Sequence, residues 1–212
     1  MAIDDLLDEH EQSERVRNWL RNNGVGLIGG IALGLAVIFG WQWWNKHRAG
    51  QAEQANVAYQ EALQVLAAGD LEKAKAVVAK LQGNKVAVYA DLAGLRLAQA
   101  QVDAGQLEPA IATLKGLKPE ASLQSLTDLR LSRLLIDAGK GEEALKLLGD
   151  ADDSASLEAR GDALVALGKP GQARDLYLKA LTGMDVAAPQ RRMVELKLTD
   201  VGGTPPKPAQ PT

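Results

Sequence analysis

Apolar residues fill positions 24–44 almost without interruption, as GVGLIGGIALGLAVIFGWQWW, whereas beyond position 50 they recur at helical spacing. The first pattern predicts a helix that is apolar on every side. At about 1.5 Å of rise per residue it reaches roughly 31 Å, the hydrocarbon thickness of a bilayer. No charged side chain lies between Arg21 and Lys46. All four tryptophans sit beside this stretch, Trp19 before it and Trp41, Trp43 and Trp44 at its end, where indole rings favour the headgroup layer. A buried helix of a soluble protein is the alternative, but six glycines would make it a poor one. The pattern therefore predicts a transmembrane helix over residues 22–45.

Past the span, Ala52, Ala55, Tyr59, Ala62, Leu63 and Leu66 continue a helical stripe, and then a unit recurs around Gly69, Gly105, Gly139 and Gly168, which lie 36, 34 and 29 residues apart. Three residues before each glycine stands an apolar side chain (Leu66, Val102, Ile136, Val165), and seven before stands a small one (Ala62, Ala98, Ser132, Gly161). Five after comes alanine each time (Ala74, Ala110, Ala144, Ala173), and nine after comes a larger apolar residue (Val78, Leu114, Leu148, Tyr177). These spacings predict antiparallel helix pairs joined by tight glycine turns, closest where the small residues meet. A unit of this length and pattern resembles the tetratricopeptide repeat. Most of that repeat's first-helix aromatics are missing and the spacing drifts, so a non-repeat bundle of four hairpins stays open. The fold class expected is all-α, a transmembrane helix followed by a helical-hairpin solenoid over residues 46–201. Arg191–Val201 reads as a final helix that caps the stack through Met193, Val194, Leu196 and Leu198. Residues 202–212, with four prolines and no large apolar side chain, read as a disordered tail.

Charge sets the orientation. Residues 1–21 form an acidic tail whose Arg15, Arg17 and Arg21 precede the span, against Lys46 and Arg48 behind it, which favours a cytoplasmic N-terminus. The competing reading, a cleaved signal peptide, fits poorly: the apolar run is too long, and it ends in Trp-Gln-Trp-Trp rather than a small-x-small site. An uncleaved anchor places the hairpins outside the cytoplasm, in a bacterium the periplasm. Within the span Gly26, Gly30 and Gly34 repeat every fourth residue, followed by Ala36 and Gly40, a spacing that lets a second helix approach closely in lipid.

The acidic tail accounts for the net charge of −3; the remainder is balanced and lacks a basic stripe, so nucleic acid is not an expected partner. With no cysteine, disulfides and thiol nucleophiles are excluded. His10 and His47 flank the span on opposite sides, which excludes a histidine metal site or a Ser-His-Asp triad in the hairpins. Asp150, Asp152, Asp153, Ser154 and Glu158 superficially resemble a calcium loop, but Ala155 and Gly161 stand where it needs glycine and glutamate. An acid-rich helix start with Ser154 or Ser156 as N-cap is the expectation, and Arg160 with Asp162 reads as a structural ion pair. No catalytic site, cofactor or metal is expected. Stacked hairpins offer a concave wall of first helices instead, which in this register includes Tyr59, Leu63, Leu95, Gln99, Leu129 and Arg133. Leucines at such spacing are also ordinary core. The wall has no cluster of Lys and Asn to grip a terminal carboxylate, which favours an apolar or mixed ligand.

One family shares this order of parts. Glu11-Gln12 and Glu14 leading to Val16, Trp19, Asn23-Gly24, Gly40-Trp41 through Trp44-Asn45, and Ala58-Tyr59-Gln60 are its first marks. Arg160-Gly161-Asp162-Ala163-Leu164, Gly168-Lys169 and Gly171-Gln172-Ala173-Arg174 follow. From about residue 10 to residue 200 the chain resembles the YfgM family. The resemblance implies a single-pass inner-membrane protein of Gram-negative bacteria, N-terminus inside, with a periplasmic tetratricopeptide-like domain. It further implies association with the SecYEG translocon, the periplasmic chaperone PpiD and exported client proteins, and a link to envelope stress through the cytoplasmic tail. An anchored scaffold for another assembly pathway, such as cytochrome maturation or outer-membrane biogenesis, is the alternative that the residues leave open.

Overall fold

The computed structural model describes the backbone of residues 2–82 and 87–206, and side chains from Ser13 onward within those ranges except at Ala87. All regular structure there is helical: α1 (Ala2–Ala67), α2 (Leu71–Gln82), α3 (Ala87–Asp103), α4 (Leu107–Lys115), α5 (Ala121–Asp137), α6 (Gly141–Leu148), α7 (Ser154–Ala166), α8 (Pro170–Gly183) and α9 (Arg191–Asp200). The chain divides into two compact units, residues 1–53 and 54–212.

From Ala2 on the first unit is helix, including the stretch read as a tail, whose side chains before Ser13 lie outside the described residues. Its apolar window has a mean hydropathy of 2.0 with no part of it buried against protein. Val25, Ile28, Leu33 and Phe39 are all well exposed. Such a surface is unfavourable in water and suits hydrocarbon, which answers the soluble-core alternative. Trp43 stacks on His47 one turn on, ring centroids 5.6 Å apart and 11° from parallel. A carbon added at Gly26, Gly30, Gly34 or Gly40 would meet nothing within 4 Å, so this face of the helix is unfilled.

In the second unit the recurrent positions organise the packing. Gly69, Gly105, Gly139 and Gly168 all take left-handed φ values of 70–77°, the conformation glycine adopts without a Cβ penalty. Each donates its N–H to the carbonyl three residues back, and the next residue donates five back: Gly105 to Val102 at 2.9 Å and Gln106 to Gln101 at 2.8 Å. This is the Schellman ending, which satisfies carbonyls that the helix leaves open and turns the chain into the partner helix. The four small residues and the four alanines are all buried. Of the apolar residues three before each glycine, Leu66, Val102 and Ile136 are half-buried, and Val165 is exposed. Three clusters result. One joins the last turns of α1 to α2 and α3, one runs from α3 through α6 to Ala163, and one unites α7, α8 and α9.

The last cluster replaces two of the sequence expectations. Asp153, not Ser154 or Ser156, caps α7, its carboxylate accepting from the N–H groups of Ala155 and Ser156 at 3.1 and 3.0 Å. Although burial opposes it, these bonds from Ser156 and Ala155 hold the Asp153 carboxyl below the ordinary range. Arg160 does not pair with Asp162: it donates to the Ala151 carbonyl at 3.1 Å, while Asp162 accepts from Lys197 at 2.7 Å and from the Tyr177 hydroxyl at 2.7 Å. Lys197 also reaches Glu158 at 2.6 Å, tying α9 to α7. Burial would lower the Lys197 pKa, but Asp162 and Glu158 outweigh it and hold it above 10.5. Its contribution is therefore complete below the ordinary lysine pKa and is lost as pH rises through the elevated folded value. Lys197→Met is expected to cost about 1.5–3 kcal/mol at neutral pH, since two carboxylates lose a charged donor. In pH-dependent thermal melts the difference from wild type should persist through neutral pH and shrink at alkaline pH as Lys197 loses its proton.

Gly161 lies under the Tyr177 ring: an added Cβ would clash with Cε1 and stand 2.7 Å from Cδ1. The ring has little freedom to retreat, being buried with its hydroxyl held by Asp162. Gly161→Ala should cost about 1–3 kcal/mol by overpacking, seen as a lower melting temperature by circular dichroism. Gly171→Ala, with nothing within 4 Å of the new carbon, should not lower it.

In α9 Val194 and Leu198 face the core whereas Met193 and Leu196 are exposed, so only half of the expected apolar set packs. The helix closes on a fifth Schellman turn, Gly202 donating to Thr199 at 2.9 Å and Gly203 to Leu198 at 2.8 Å. Residues 204–206 have no regular structure, and 207–212 of the expected disordered tail lie outside the described residues.

Candidate docking groove

Helix α5 is fixed at its start by a long-range contact. The carboxylate of Asp91, buried on α3, accepts the Glu120 N–H at 3.1 Å, just ahead of the first turn of α5. Burial pushes the Asp91 carboxyl up from its ordinary value, partly offset by that hydrogen bond. The polar side chains that α5 buries satisfy themselves locally: Thr127 donates to the Leu123 carbonyl at 2.9 Å and Ser132 to that of Leu129 at 2.8 Å. Leu131 and Leu135 then seat α5 against α3, α4 and α6.

Between α3 and α5 this packing leaves an open groove of about 320 Å³. Its floor is apolar, made by Leu95, Ala98, Val102, Leu114 and Leu134, and its rim carries Gln99, Arg130 and Arg133. Three of the six wall residues expected from the repeat register, Leu95, Gln99 and Arg133, thus meet in one place. Leu95 is at once floor and core, only 4% exposed. The other three lie elsewhere. Tyr59 leans on Tyr89 with centroids 5.8 Å apart, Leu63 is half-buried near the end of α1, and Leu129 is half-buried on α5 without lining the groove.

Sequence reasoning missed Arg130. The signal was available, since it stands three residues before Arg133 and so on the same face of a helix. Arg130 has no ion pair or hydrogen bond among the described residues, and Arg133 only a 4.0 Å approach to Glu158, with half its side chain exposed. Gln99 is spent on Asp103, at 2.9 Å.

A second depression of about 590 Å³ lies where Pro119, α4, α5 and α6 meet, floored by Leu114, Leu117, Leu131, Leu135 and Leu147. Its rim charges are largely satisfied: Lys115 bridges Glu143 at 2.5 Å and Gln124 donates to Asp128 at 2.8 Å. The Lys115 hydrogen bond holds the Glu143 carboxyl below its ordinary value. Among the described residues no cluster of His, Cys, Asp and Glu could hold a metal ion.

The chain is similar to three proteins each named ancillary SecYEG translocon subunit. It is 36% identical to that of Escherichia coli K12, over 51% of this chain and 52% of the relative. It is 25% identical to that of Haemophilus influenzae and 22% identical to that of Aggregatibacter actinomycetemcomitans, in both cases over 54% of this chain and 74% of the relative. The matched region spans about half the length of the Escherichia coli relative. These homologues are the YfgM proteins whose order of parts the sequence follows. Residues 17–203, almost the whole of the hairpin stack together with the apolar helix, match the tetratricopeptide repeat-like domain family, and the chain belongs to it.

Proposed function

We propose that this protein is a non-enzymatic adaptor, anchored in the bacterial inner membrane by α1 and acting beside the SecYEG translocon through its repeat domain. The observation that carries the reading is an apolar window on α1 with none of its length buried in protein, continuous in sequence with a helical-hairpin domain. The shared name of the relatives supplies the translocon.

In this reading residues 1–21 are cytoplasmic and the repeats periplasmic, where the groove holds a chaperone such as PpiD or an emerging exported client. The face of Gly26, Gly30, Gly34, Ala36 and Gly40 meets a neighbouring membrane helix, small residues there permitting close backbone approach. Tyr59, Leu63 and Leu129 extend the docking wall beyond the groove itself. Function then rests on contact, and the orientation of the anchor decides which proteins the repeats can reach.

Copurification of the full chain in mild detergent tests the adaptor role. Sec subunits in the eluate support it; an envelope assembly complex in their place, with no Sec subunit, would replace it with the scaffold alternative.

A further inference from the structure

The rim of the α3–α5 groove carries positive charge that the protein itself does not use. Arg130 has no partner among the described residues, and Arg133 has one weak partner 4.0 Å away. Two carboxylates linked to the rim are committed elsewhere: Asp103 accepts from Gln99 and Glu158 from Lys197. Guanidinium groups three residues apart on one helix face present a fork of N–H donors to a single carboxylate. Beneath them lie Leu95, Ala98, Val102 and Leu134, all apolar, of which Val102 and Leu134 are partly exposed to the open groove. In the larger depression beside Pro119 Lys115 and Glu143 bridge each other, which leaves Lys146 as a single rim cation without an ion pair among the described residues, not a pair on one helix face.

From this complementarity we infer that the groove selects a polypeptide segment in which an acidic residue neighbours a large apolar one. Arg130 and Arg133 take the carboxylate, and the apolar side chain rests on Leu95, Val102 and Leu134. Water-exposed arginines contribute modestly, so the charge works as a selector laid over apolar contact. The inference rests on the docking reading of the groove and adds the chemistry of what docks.

The test uses the full chain in lipid nanodiscs and two fluorescein-labelled octapeptide libraries. Both fix leucine at the fourth position, and they differ only in glutamate or glutamine at the fifth. At low salt the glutamate library should bind about fivefold tighter, and the preference should fade at high salt. Combining Arg130→Glu with Arg133→Glu should abolish the preference, and Arg130→Lys should reduce it. Arg130→Lys should keep the wild-type melting temperature and the double reversal should lower it only slightly, since both arginines are exposed and Arg133 approaches Glu158 no closer than 4.0 Å. Equal binding of the two libraries, lost on Leu134→Glu, would overturn the acidic selection while leaving the docking groove intact. A glutamate preference that survives the double charge reversal would also overturn it. If neither library binds, both the inference and the docking reading of this groove fall.

Discussion

Leu135→Ala is expected to lower the stability of the repeat domain by about 2–5 kcal/mol, the range for truncating a fully buried leucine whose surroundings relax only in part. Leu135 is 1% exposed and sits in the cluster that joins α3, α4, α5 and α6 with Ala163. Its neighbours have little room to collapse. Ala110, Ala144 and Ala163 beside it are fully buried, and the Leu135 carbonyl is held by the Lys140 N–H at 2.7 Å in the turn after α5. For a domain of this size the loss corresponds to roughly 5–15 °C in melting temperature. Leu178→Ala, at a side chain 43% exposed, should stay within about 0.5 kcal/mol of wild type. Because α5 also carries Arg130 and Arg133, the Leu135 variant should weaken docking through lost order, whereas changing the arginines should weaken it with order intact. Thermal melts followed by circular dichroism, run beside the peptide binding measurements, separate the two.

Leu33→Arg is expected to disable the anchor. Leu33 lies near the centre of the apolar span and is 69% exposed, so nothing in its own chain covers the side chain. An arginine at mid-span costs about 2.5–3.5 kcal/mol on insertion scales, and no acidic residue between Arg21 and Lys46 is present to pair with it. Wild-type protein should stay with the membrane pellet through alkaline carbonate extraction, and the variant should move substantially to the supernatant. Pelleting of the variant equal to wild type would mean that the repeats, rather than α1, hold the protein to the membrane.

Much of the fold was legible because its constraints are local. A left-handed turn selects glycine at 69, 105, 139 and 168, and close helix approach selects alanine, serine or glycine at Ala62, Ala98, Ser132 and Gly161; both leave a mark at fixed spacing. The same turn at Gly202 lacks the alanine and the larger apolar residue that follow the other four, so it carries no repeat signature. Long-range partners left no such mark. Nothing near Asp162 in sequence points to Lys197, 35 residues away, so the neighbouring Arg160 was the natural but wrong partner. The cap of α7, expected at Ser154 or Ser156, lies one or three residues earlier for a different reason: Asp153, Ser154 and Ser156 are all competent caps, and the backbone angles at Asp153 decide among them. The groove divided in the same way. Helical register brought Leu95, Gln99 and Arg133 to one groove, whereas Tyr59, Leu63 and Leu129 do not line it, a difference that periodicity alone does not encode.

Whether the repeats reach exported proteins depends on the side of the membrane they occupy. Proteinase K added to intact cells, to spheroplasts and to lysed spheroplasts reads this directly, with antibodies against the repeats and against an epitope at the N-terminus. With the repeats in the periplasm, they should be resistant in intact cells and degraded in spheroplasts, while the N-terminal epitope survives until lysis. Repeats that persist in spheroplasts and disappear only on lysis, with a cytoplasmic control degraded in parallel, would contradict it.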